Sequence, residues 1–157
     1  MTQIHDLPGH LIRRAHQTSV AVFTAETRAA GFDLTPVQYG ALATLMDHPG
    51  IDQATLAGLI AHDRATIGGV VLRLESRGYI ERKVREDDRR ARILTPTPRG
   101  QALYQAMRPA ILAAQERILA GLDGNEREPF MRALRKLAES GNGLSHAPGD
   151  RVGGSSE

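Results

Sequence analysis

Over residues 11–30 apolar side chains recur at Leu11, Ala15, Val22, Ala25 and Ala29, with Ile12, Ser19 and Phe23 beside them. Spacing by three and four puts one apolar stripe on a helix, and Gly31 is its expected stop. In "LTPVQYGALATLMDHPG" a second stripe runs through Val37, Ala41, Leu42 and Leu45. Thr35 stands where a cap belongs and Pro36 suits the first helical position. Pro49-Gly50 closes that helix. "IDQATLAGLIAHDRATIGGVVLRLESRGYI" then reads as two helices with a very short joint. Asp52 caps the first, whose inward residues are Leu56, Leu59 and Ile60. Asp63 caps the second, with Ile67, Val70, Val71 and Leu74 on its buried face. Gly78 falls where a helix C-terminal glycine belongs.

The period changes after Gly78. Tyr79, Ile80 and Val84 on one side, and Ile93 and Leu94 on the other, flank a polar turn over residues 86–90. Apolar residues at both ends in strand spacing predict a β-hairpin, not a linker. Thr97-Pro98 opens a long helix with a stripe at Leu103, Met107, Ile111, Leu112, Ile118 and Leu119, and Pro109 is a candidate kink. Asn125 is expected to cap a last helix with Phe130, Met131, Leu134 and Leu137 inside. The tail from Gly141, "GNGLSHAPGDRVGGSSE", has little apolar content and is expected to be disordered.

The fold class is therefore mainly α with a small β-wing. A winged helix-turn-helix occupies residues 35–100. A dimerisation helix over 1–34 precedes it, dimerisation helices over 101–140 follow, and 141–157 is a tail. The terminal helices carry more apolar stripe than one small domain can cover, so they are expected to pair with a second copy in a homodimer.

Composition narrows the function. The chain has 157 residues, 41% hydrophobic and 24% charged, enough for one domain with a core. No apolar run approaches the roughly 18 residues of a membrane helix, so no membrane partner is expected. The start "MTQIHDLPGH" lacks the basic-then-apolar order of a secretory signal. Without cysteine there is no disulfide, thiolate metal site or thiol-based oxidant sensor. A cytoplasmic protein fits these features. The net charge of +2 says little, but residues 55–100 hold ten Lys and Arg against six Asp and Glu. Locally basic surface is the usual footprint of nucleic-acid binding.

The second helix of a helix-turn-helix fits the major groove of DNA, about 12 Å wide. It would present Arg64, Ala65 and Thr66 to base edges. Interior glycines cost roughly 1 kcal/mol each relative to alanine, so Gly68 and Gly69 need a reason. Close approach to DNA is one, and close packing against another helix is the other. Arg73 and Arg77 suit phosphates, which position a protein without reading sequence. At the hairpin tip Asp88 can orient Arg90 for a narrow minor groove, with Arg89 as a second contact. The competing reading of that tip is a surface ion pair worth under about 1 kcal/mol.

"TLAGLIAHDRATIGGVVLRLESRGYIERKVREDDRRARILTPTPRG" resembles the MarR family of bacterial winged helix-turn-helix regulators. The resemblance is carried by Leu74, Glu75 and Gly78, by Asp88 and Arg90, and by Leu94 and Thr95 followed by Gly100. The helix order extends it over residues 8–140. It implies a homodimer built on terminal helices that binds a palindromic operator in double-stranded DNA, usually as a repressor. It also implies release by a small aromatic acid, held between the dimerisation helices and the DNA-binding part. The stretches "GHLIRRAHQ" and "TPVQYGAL" look similar to members governing breakdown of benzoate- or nicotinate-type acids. Candidate effector contacts are His10, Arg13, Arg14, His16 and Gln17 in the first helix, and Gln38, Tyr39 and His48 in the second. An arginine can clamp a carboxylate while apolar walls take the ring. Intersubunit salt bridges, or plain exposure, are the other readings of Arg13 and Arg14.

A zinc-responsive regulator is an alternative suggested by six histidines. His10 and His16 lie on different faces of a helix and no His-x3-His pair occurs, so no metal site is assigned. No cofactor is expected besides the aromatic carboxylate effector. An enzyme is not expected, because Gly-x-Ser-x-Gly, His-Glu-x-x-His and phosphate-loop motifs are absent. A winged-helix protein-interaction module without DNA binding remains, and would show little dependence on salt.

Overall fold

A computed structural model describes residues 3–60, 64–85, 88 and 92–141, and the expected cap at Asp63 and the tail lie outside them. After a short 3-10 turn (Ile4–Asp6) the elements are α1 (Pro8–Ala29), α2 (Pro36–Asp47), α3 (Gln53–Leu59) and α4 (Arg64–Ser76). They are followed by β1 (Ile80–Val84), β2 (Arg92–Pro96), α5 (Pro98–Ile118) and α6 (Gly124–Gly141). The chain forms two compact units, Met1–Gly121 and Leu122–Glu157.

Local chemistry sets the helix ends. Thr35 and Gln38 form a capping box: the Thr35 hydroxyl accepts from the Gln38 N–H at 3.3 Å, and Gln38 Oε1 accepts from the Thr35 N–H at 3.1 Å. Asp52 Oδ1 accepts from the Thr55 N–H at 2.7 Å. That amide donor holds the Asp52 carboxyl below its usual range. Gly31 (φ 84°) and Gly78 (φ 72°) take the left-handed conformation that ends α1 and α4. At the second end the Gly78 N–H donates to Glu75 O at 2.8 Å and the Tyr79 N–H to Leu74 O at 2.9 Å. Asp123 caps α6, not Asn125. Its Oδ1 accepts from the Glu126 N–H at 3.0 Å, and its own N–H donates to Glu126 Oε2 at 2.9 Å.

The core of the first unit joins Phe23, Leu34, Leu42, Leu45, Leu56, Ile67, Val71, Leu74, Ile80, Leu94, Met107 and Ile111. Packing has no boundary at residue 100, because Met107 and Ile111 of α5 share one core with α4. Three expected stripes are corrected. In α1 the buried residues are Phe23 and Thr27, whereas Ala25 and Ala29 are exposed. In α3 Ala57 is buried and Leu59 exposed, since the helix ends at Leu59 with Leu56 and Ala57 facing the core. In α5 Ile111 and Ala114 face inward and Leu112 outward. Phe130, Leu134 and Leu137 of α6, expected inside, are exposed in the single chain, and Leu11 and Ile12 of α1 are as well.

The turn from α4 into the hairpin is tied directly to the start of α5. The Thr97 N–H donates to Tyr79 O at 3.0 Å. The Thr97 hydroxyl donates to Gly78 O at 2.6 Å and accepts from the Gly100 N–H at 3.0 Å. Arg99 lies 5.3 Å over the Tyr79 ring. Gly100 is buried, and a Cβ there would stand 2.9 Å from the Tyr79 carbonyl carbon, which is backbone and cannot swing away. Gly100→Ala should therefore force the two segments apart and lower stability by about 1–3 kcal/mol or more. Urea unfolding of the two proteins measures this, and an unchanged midpoint would show that the joint is looser than described.

Candidate nucleic-acid interface

α3 and α4 form the helix-turn-helix. Ile67, Val70, Val71 and Leu74 hold α4 to the core, and this leaves the opposite side of the helix outward. Thr66, Gly69, Leu72 and Arg73 are exposed there. The side chains of Arg64 and Ala65 lie outside the described residues, as do Arg89 and Arg90, whereas Asp88 is described and exposed.

Among the described residues the two glycines differ in their surroundings. A Cβ at Gly69 would meet nothing within 4 Å, and one at Gly68 would lie 3.5 Å from Gln53 Nε2, an ordinary contact. Arg77, expected at a phosphate, is paired within the chain. Its guanidinium donates to Asp33 O at 2.7 Å and to Asp33 Oδ2 at 3.1 Å. This ties the end of α4 to the connection between α1 and α2.

The hairpin grows out of the same body. β1 and β2 pair antiparallel from Ile80 opposite Pro96 to Val84 opposite Arg92. Ile51 adds a third rung: the Gly50 N–H donates to Leu94 O at 2.9 Å and the Leu94 N–H to Ile51 O at 2.8 Å. Arg82 of β1 pairs with Glu75 of α4 at 3.0 Å. Half-exposed pairs of this kind are worth under about 1 kcal/mol, so the Arg82 and Arg77 bridges orient more than they stabilise. Arg82, Lys83, Arg85 and Arg92 make the described outer surface of the hairpin basic.

The expected effector contacts are spread over α1 and α2. Gln38 is buried and held in its capping box, and His48 is an exposed residue at the end of α2. Arg13, Arg14, His16 and Gln17 are exposed along the first half of α1. His10 is half-buried, its ring 5.4 Å edge-on from His5. Tyr39 stacks on Tyr104 with centroids 5.7 Å apart and planes at 17°, and lies 6.0 Å from Phe23. Burial, with help from the Tyr104 hydroxyl, pushes the Tyr39 phenol up to about 12. A shallow cavity of about 210 Å³ is lined by Pro36, Val37, Gly40 and Ile60, and the expected polar groups are not among them. Among the described residues no three His, Asp or Glu side chains gather to hold a metal ion, and no helix is long and apolar enough to cross a membrane.

Sequence reasoning missed Asp33 and Arg82. It read Thr97 as a helix start, where its hydroxyl accepts from the Gly100 N–H, but not the bond of that hydroxyl to Gly78 O. Asp33 had no local signal, since its partner lies 44 residues away.

The MarR family model matches residues 34–91. The repressor NicR of Pseudomonas putida is 36% identical over 132 residues, covering 84% of this chain and 82% of its own. The transcriptional regulator HosA of Escherichia coli is 31% identical over 128 residues, covering 82% of this chain and 92% of its own. The structure of Bordetella bronchiseptica BpsR, whose DNA binding is regulated by 6-hydroxynicotinic acid, superposes with a TM-score of 0.82. It is 31% identical and covers 88% of this chain and 97% of its own. With a helix-turn-helix, a basic hairpin and relatives matched over most of their length, this chain belongs to the MarR family of transcriptional regulators and is not an enzyme.

Proposed function

We propose that the chain is a homodimeric repressor that binds a palindromic operator in double-stranded DNA and releases it when a small aromatic carboxylate binds. The observation that carries the DNA part is the two-sidedness of α4: one face is fully buried, and the other is open beside a basic hairpin. In this reading Arg64, Ala65 and Thr66 meet base edges and Arg73 meets phosphate. Gly68 and Gly69 let the helix sink, and Asp88 orients Arg90, with Arg89 beside it, toward the minor groove. Arg77 is left to Asp33. Leu11, Ile12, Leu112, Phe130, Leu134 and Leu137, all exposed in the single chain, supply the apolar surface for a second copy. Such a repressor works in the cytoplasm, where bacterial DNA is.

Likeness to NicR and BpsR supports a pyridine- or benzene-carboxylate effector. Arg13 and Arg14, with His10, His16 and Gln17, are the groups to clamp its carboxylate. The Tyr39–Tyr104 stack offers an apolar wall with phenol hydroxyls.

Gel shifts at several salt concentrations test the DNA part. Wild type should lose affinity steeply with salt, and Arg90→Ala should bind more weakly with a log–log slope smaller by about one per half-site. A flat salt response would favour the protein-interaction alternative. Gly69→Ala should act in opposite directions on fold and function. It should raise thermal stability by about 0.5–1 kcal/mol, the interior glycine penalty, and weaken DNA binding; equal affinity would remove close approach as the reason for the glycine. For the effector, nicotinate- and benzoate-type acids should raise the melting temperature of wild type by mass action. Arg13→Ala or Arg14→Ala should abolish the shift, and wild type indifferent to every such acid would end the effector proposal.

A further inference from the structure

The outward crest of α4 has an unusual composition for a helix that reads bases. Taking Ile67, Val70, Val71 and Leu74 as the buried side and about 100° per residue, the positions opposite are Ala65, Gly69, Leu72 and Ser76. None carries a charge or an amide, so the bidentate arginine–guanine and asparagine–adenine pairings have no donor on the crest. The Ser76 hydroxyl already donates to Arg73 O at 3.0 Å. Leu72 is the one long side chain there, and it is 61% exposed. A helical leucine leans toward the preceding turn, here the turn of Gly68 and Gly69. Open space lies above Gly69.

These observations point to a single base feature. The major groove offers hydrogen-bonding atoms at every base pair, and its apolar group is the 5-methyl of thymine. We infer that Leu72, beside the bare backbone of Gly69, forms an apolar seat for one pyrimidine 5-methyl group in each half-site. The inference rests on the proposal that α4 enters the major groove. It gives Gly69 a specific purpose: a side chain there would hold the helix too high for the leucine to touch the methyl. It also assigns base identity to an apolar contact, with Thr66 on one flank and Arg73 fixing the helix along the backbone.

The full-length protein should first select its tightest duplex from a random pool, and thymine should recur at one position of each half-site. Replacing that thymine by deoxyuridine removes only the methyl. Affinity should fall about fourfold per half-site, the size expected for losing burial of one methyl-sized group. With Leu72→Ala both duplexes should bind equally, while the salt slope stays that of wild type. Cytosine and 5-methylcytosine at the same position separate the two sources of the methyl: rescue by 5-methylcytosine shows that the methyl itself is read, and no rescue adds the thymine O4 to the contact. Tight, salt-dependent binding that ignores uracil substitution overturns the methyl seat and leaves the regulator reading intact. Absence of any selected duplex defeats that reading, and the seat with it. Unequal binding of the two duplexes by Leu72→Ala would move the methyl contact to another residue.

Discussion

A hydrogen-bonded joint ties the end of α4 and the root of the hairpin to the start of α5. Gly78 turns the chain through a left-handed residue, and Thr97 receives the turn with its amide and hydroxyl. Gly100 allows the two backbones to touch. The recognition helix, the root of the hairpin and the long α5 therefore meet at one point, and none can tilt without disturbing the others. Close-packed elements of this kind shift between discrete arrangements instead of deforming smoothly.

Two ion pairs refine that joint. Arg77–Asp33 holds the C-terminal end of α4 to the α1–α2 connection, and Arg82–Glu75 sets the hairpin against the helix. Both are too exposed to matter much for stability. Their effect is directional: they orient the end of α4 and the hairpin. Electrostatics then supplies general attraction to DNA. In the proposed complex, discrimination between sequences falls to shape and to a few contacts on the crest of α4, in keeping with the division between positioning and specifying contacts.

Much of the fold was legible because its signals are local. Thr35-Pro36 and Asp52 announced helix starts, Gly31 and Gly78 announced stops, and the change from helical to strand spacing after Tyr79 announced the hairpin. Ile67, Val70, Val71 and Leu74 were identified as buried from spacing alone, since a four-residue face with no polar interruption has one way to turn. Where the pattern was ambiguous it misled. Leu59 stands two positions from the buried Ala57 and Leu112 one from the buried Ile111, because periodicity fixes a face only to within a residue or two near helix ends. Asn125 was read as the cap of the last helix where Asp123 holds it: both residue types suit the role, and only the observed amide partners separate them.

The candidate site divides along the same line. The sequence by itself determined the order of elements, the basic hairpin and the residues of the reading helix, for these follow from composition and spacing over short stretches. Only the tertiary structure decided that Arg77 pairs with Asp33, that Gln38 closes a helix end, that among the described residues nothing lies over Gly69 and that Leu72 is exposed on the crest. The physical reason is that each of these facts depends on what lies opposite a side chain in space. Neighbours separated by tens of residues are brought together by the packed core, and no local pattern records them.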